Sequence, residues 1–130
     1  MKEAEPESRS EALTSSRRLL VSVADSVFPA RSEPNVDVSG KERDVSQEKY
    51  VNRIMAFLEE RIASRGSLAI LGAELQHLAL RLEAVREKAS KGVHADVTRS
   101  EARLAVIHTY LIVAEIARLA VPASEQKPGV

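Results

Sequence analysis

Lys88-Ala-Ser-Lys-Gly-Val-His-Ala-Asp-Val-Thr-Arg-Ser-Glu-Ala-Arg103 is the stretch on which the fold turns. Gly92 reads as the stop of one helix, His94 as part of a short connection, and Thr98 as the start of the next helix. Thr98 and Glu101 have capping-box spacing, in which the hydroxyl accepts from the Glu101 N–H and the carboxylate reaches back to the Thr98 N–H. From Thr98 to Val121 most positions are apolar, too many for one stripe, which predicts a helix buried nearly all round. Pro122 ends it.

Upstream of Gly92, a third helix runs from about Ser67 to Ser90. Leu68, Leu71, Leu75, Leu78, Leu82 and Val85 alternate steps of three and four residues. Such a seam packs beside another helix at a shallow angle, either within one chain or between two. Tyr50, Ile54, Phe57, Leu58 and Ile62 give a second helix its face, with Ser46 as N-cap and Gly66 as its stop. Leu13, Leu20, Val23, Ala24 and Val27 mark the first helix, which Pro29 ends just after Phe28. Arg17 falls inside that apolar stripe and must either snorkel to water or meet a buried acid. Between these helices, residues 30 to 45 carry Pro34, Gly40 and many charges without periodicity, a long exposed loop with a short turn at Ser39-Gly40. The expected architecture is all-α, a four-helix bundle with one long connection between helices 1 and 2 and no sheet. Residues 1–10 and 122–130 read as disordered tails around a single domain, 11–121.

Composition narrows the class. The 130 residues are 44% hydrophobic and 29% charged, ordinary for a globular domain, but only 3% aromatic. A core of Leu, Ile, Val and Ala favours helices over sheet. Nineteen basic residues balance nineteen acidic ones, so no global field marks a nucleic-acid or membrane partner. The absence of cysteine removes disulfides and thiolate metal sites. Met-Lys-Glu-Ala-Glu-Pro-Glu at the start lacks the apolar core of a signal peptide, and Leu104 to Ala114 is too short a chargeless run to span a bilayer. The expectation is a cytoplasmic protein without a membrane span.

Of three histidines, His77 shares a solvated helix face with Glu74 and Arg81. His108 lies seven residues from both Glu101 and Glu115, about 10 Å of helix each way, too far to share a metal ion. Arg103 and His108 point some 140° apart on a continuous helix, so they make no pair. His94 stands off every seam. Arg86, Lys88 and Lys91 precede it and Arg99 follows it, at the N-terminus of a helix whose free N–H groups add positive potential. From Arg86 to Arg103 there are five basic residues against three acidic ones. A histidine among cations can move a proton near neutral pH beside a bound phosphate. The competing reading has His94 capping the turn and the lysines solvated. No metal and no cofactor is called for.

Lys-Gly-Val-His-Ala-Asp-Val-Thr, with a long helix before it and an apolar helix after it, resembles the C-terminal half of HEPN-superfamily proteins, small helical domains of bacterial toxin–antitoxin and phage-defence systems. Arg17-Arg18-Leu-Leu through Ala24-Asp25, Phe28-Pro29 and Tyr50-Val-Asn52-Arg53 resemble short bacterial proteins with the same ending. The resemblance implies a dimer that cuts RNA without metal, Arg86 holding the phosphate and His94 assisting attack of the ribose 2′-hydroxyl, with Lys88, Lys91 and Arg99 on phosphates. Seven residues separate Arg86 from His94, a wider gap than in active members, and Glu87 follows the arginine. Inactive members of the family are nucleotide-binding or protein-interaction modules, and that alternative needs no complete motif. The leucine seam and the apolar fourth helix together are more apolar surface than a small monomer easily hides, so a homodimer is expected, with a partner protein encoded nearby as a further candidate.

Overall fold

A computed structural model describes residues 6–90 and 99–121. Four helices carry the fold: α1 (Pro6–Val27), α2 (Tyr50–Arg61), α3 (Arg65–Ser90) and α4 (Arg99–Ala120). The all-α expectation stands, with one addition. Strands β1 (Asn35–Val36) and β2 (Glu42–Arg43) pair antiparallel in the α1–α2 connection, Asn35 opposite Arg43 and Val36 opposite Glu42. The ladder exists because Asp37 organises the turn: its Oδ1 accepts from the N–H groups of Ser39 and Lys41, both at 2.9 Å, and from the Ser39 hydroxyl at 2.6 Å. Gly40 takes the left-handed φ of +88° that a three-residue hairpin loop needs.

The connection is also tied down more firmly than its composition suggests. Val45 is buried in the core, the Arg31 N–H donates to the Val45 carbonyl at 3.0 Å, and Arg43 pairs with Glu59 of α2 at 2.9 Å. The tip, Val38 to Lys41, is an unbroken exposed run that carries a lysine. Among the described residues, limited trypsin digestion is therefore expected to cut first at Lys41. A first cut between Leu68 and Leu82 would contradict this arrangement.

Three helix boundaries differ from the sequence reading. Ser46 is not the cap of α2. The Asp44 carboxylate captures its N–H at 2.9 Å, its own carbonyl closes a turn on Lys49, and the helix starts at Tyr50. Gly66 is not a stop either. α2 ends when Ile62 turns extended, and Ser64 then caps α3, its Oγ accepting from the Ser67 N–H at 3.3 Å. At the other end α1 begins at Pro6, upstream of the boundary at residue 10, where a fixed φ suits a first turn.

The core holds Leu13, Leu20 and Ala24 of α1, Ile54, Phe57 and Leu58 of α2, and Ala105, Ile112 and Ile116 of α4. Leu71, Leu75, Leu78 and Leu82 of α3 complete it, so the leucine seam is spent inside one chain. Each fully buried leucine contributes about 1.5–3 kcal/mol of transfer free energy. Val85, the last seam position, has its side chain outside the described residues.

α4 departs most from expectation. It packs on α1 and α3 and only lightly on α2. Ala102, Ala105, Thr109, Ile112 and Ile116 face the core, and Thr109 satisfies its hydroxyl on the Ala105 carbonyl at 2.7 Å. The opposite face is apolar but uncovered: Leu104, Ile107 and Leu111 are 56%, 46% and 62% exposed. Three partner helices reach one side of α4, and nothing among the described residues lies over the other.

Candidate functional site

The residues singled out around the α3–α4 turn fare unequally. Arg86 lies on the last turns of α3, exposed, with a long 3.8 Å ion pair to Glu83 one turn back. Its charge is felt by Tyr50, whose hydroxyl is pushed up first by burial and further by Glu83, against the lowering influence of Arg17 and Arg86. Lys88 belongs to α3 with its side chain outside the described residues, and Lys91, His94 and the Thr98 cap fall in 91–98, also outside them. Arg99 opens α4 and is exposed. His77 is exposed and sits 3.4 Å from Arg81, the solvated face expected of it, and His108 is half-buried. Among the described residues no group of His, Asp and Glu is arranged to hold a metal ion.

Arg99 is not isolated. With Arg9 and Ala12 of α1, and Ala102, Arg103, Val106 and Ile107 of α4, it lines a cleft of about 360 Å³. Three guanidinium groups around an apolar floor suit an anion carried on an apolar body, and guanidinium forks grip phosphate or carboxylate two-pronged. Arg9 and Arg103 escaped the sequence reading as site residues. Arg103 was weighed as charge and as a partner for His108, and Arg9 lies some ninety positions away in sequence, joined to α4 only by the packing of α1 on it.

The outer face of α4 is the second feature. Ile107 is two residues from both Ala105 and Thr109, about 200° of helical turn, and so points directly away from the core. Leu104 and Leu111 flank it three and four residues away, making a straight ridge with Tyr110 beside it and Arg103 at its N-terminal shoulder. A third feature lies on the far side of the bundle. Between the hairpin, α2 and α3 runs a groove of about 850 Å³, floored by Met55, Ala56, Leu68, Ala69, Gly72 and Ala73. Asp37, Glu59 and Glu60 stand around it, with Arg65 the one cation among its lining residues.

The most deeply buried charge belongs to none of these. Arg53, fully enclosed, donates to Asp25 at 2.7 Å, to the Gln47 carbonyl at 3.0 Å and to the Phe28 carbonyl at 3.4 Å. One side chain thus ties the end of α1 and the approach to α2 onto α2 itself. The Arg53 hydrogen bond, and then one from Gln47, holds the Asp25 carboxyl below its ordinary value. Arg53 shares the stripe of Tyr50, Ile54 and Phe57, a placement that could have marked it as buried from spacing alone. Among the described residues Arg17 meets no acid. Its guanidinium lies over the Tyr50 ring, 5.5 Å from the centroid, so a cation–π contact replaces the salt bridge considered for it.

Compared with known proteins, the chain matches no family model, no curated protein and no solved structure. No helix among the described residues is long and apolar enough to cross a membrane.

Proposed function

We propose that this chain is a non-catalytic, self-associating helical module, of the interaction kind that the HEPN resemblance allows, and that the outer face of α4 is its contact surface. The observation that carries the reading is the ridge of Leu104, Ile107 and Leu111, exposed on the side of α4 opposite its buried stripe. Isolated exposed leucines are ordinary, but three at helical spacing in one line are a contiguous apolar surface of the kind that marks an interface. The leucine seam of α3 no longer argues for association, since the chain's own core consumes it. Leu111→Asp tests the reading. It should abolish self-association while leaving the helical circular dichroism signal intact, and an unchanged molecular mass would refute it.

The arginine cleft favours a second reading, an RNA-cleaving toxin or defence protein with His94 and Arg86 at its centre. Arg9, Arg99 and Arg103 would track phosphates, with Arg99 five residues after His94 in sequence. On this reading a mixed RNA pool is cut in the presence of chelator. His94→Ala lowers the rate by about 10²–10⁴-fold, the usual cost of a lost general acid or base. Arg86→Lys restores only part of what Arg86→Ala removes, because an ammonium cannot grip phosphate two-pronged. Wild-type protein that cuts no RNA leaves the interaction module as the function.

A further inference from the structure

We infer that the α4 ridge of one copy seats in the α2–α3–hairpin groove of the next. The inference rests on the reading of α4 as a contact surface and names what covers it. Among the described residues, ridge and groove are extended apolar features left open, and their chemistry matches. The ridge offers three branched side chains in a row on a rigid helix, with Arg103 at its shoulder. The groove offers an apolar floor of mostly small residues, Ala56, Ala69, Gly72 and Ala73, over which a second helix can approach closely. Met55, which lies against Gly72, supplies a side chain able to repack around an incoming group.

Charge sets the direction. Asp37, Glu59 and Glu60 stand around the groove against one lining cation, Arg65, and although Glu59 is already paired with Arg43, the rim keeps a net negative charge, with Asp37 held ionised by the Ser39 and Lys41 donors of its own turn. A basic-shouldered ridge is attracted there. Two α4 ridges meeting face to face would leave the groove and the exposed Val36 and Val38 of the hairpin uncovered. Within this sequence, the segments outside the described residues hold only Met1, Val93, Val97 and Val130 as large apolar side chains, so none of them reproduces the three-residue ridge.

A ridge-to-groove contact is heterologous. It uses different patches on the two copies, so it either closes into a ring or continues to grow. That asymmetry makes it testable by mixing. Leu111→Asp spoils the ridge and leaves the groove, and Ala69→Arg fills the groove and leaves the ridge. Both positions are exposed, so both variants should fold, which circular dichroism checks. Leu104→Asp and Glu60→Lys serve as a second pair. In light scattering the wild type should gain mass with concentration and each variant alone should stay at the chain mass. A one-to-one mixture should form a species of twice the chain mass and stop there, because it retains one intact ridge and one intact groove. Should Ala69→Arg assemble like the wild type while Leu111→Asp does not, the groove is not the seat, and α4 alone remains an interface. Variants that are monomeric both apart and mixed also overturn the inference. A wild type that stays at the chain mass, or a Leu111→Asp that assembles normally, overturns the underlying reading as well.

Discussion

Arg53→Met is expected to destabilise the fold by about 2–4 kcal/mol, read as a lowered denaturant midpoint with an unchanged slope. Methionine keeps much of the stem's volume, so little of the loss comes from a cavity. It comes from the Gln47 and Phe28 carbonyls, which lose their donor in the interior, and from the tie between α1 and α2. Arg53→Lys should recover only a fraction, since one ammonium cannot reach Asp25, Gln47 and Phe28 together. Asp25 adds a pH dependence. Its carboxyl gives up a proton more readily in the folded chain than in the unfolded one, so its stabilising effect is complete above the ordinary carboxylate range and is lost as pH falls through it. Asp25→Asn should therefore flatten, without abolishing, the loss of stability below about pH 4, where carboxylates ordinarily titrate. Asp37 and Asp44, both held low by hydrogen bonds in their own turns, add to the remaining slope. An Arg53→Met variant as stable as the wild type would refute the role given to this cluster.

Leu75→Asp should cost about 3–5 kcal/mol, because it places an unpaired carboxylate where a fully buried leucine packs at the centre of the α3 seam. Leu80→Asp is the matched control. It makes the same change on the same helix at a position 72% exposed, and should fall within about 0.5 kcal/mol of the wild type. Equal effects at the two positions would mean that the seam faces another chain and not this chain's own core.

The contrast between these two leucines also shows what the sequence made legible. On α3 an unbroken leucine seam at steps of three and four marks the buried side, although Ile70 and Leu80 lie exposed off it. On α4 the same logic fails because both faces are apolar. Ile112 and Ile107 look alike in sequence, and only the positions of α1 and α3 decide which turns inward. The start of α2 was lost to a competition between neighbours, Asp44 taking the Ser46 N–H and with it the expected cap. The hairpin was half legible, its Ser39-Gly40 turn from composition, its ladder not, since two residue pairs leave no alternation to read. Of the site residues, Arg99 was found through the charge near the turn. Arg9 was not, because nothing local to α1 distinguishes a guanidinium that faces α4 from one that faces water.

The central claim is that the outer face of α4 is an interface, and the most direct measurement is the molecular mass of wild type and Leu111→Asp by light scattering over a concentration series. The account predicts a wild-type mass that rises above that of one chain and a variant that stays at it with the same helical signal. A wild type that keeps the mass of a single chain at the highest concentration would contradict it.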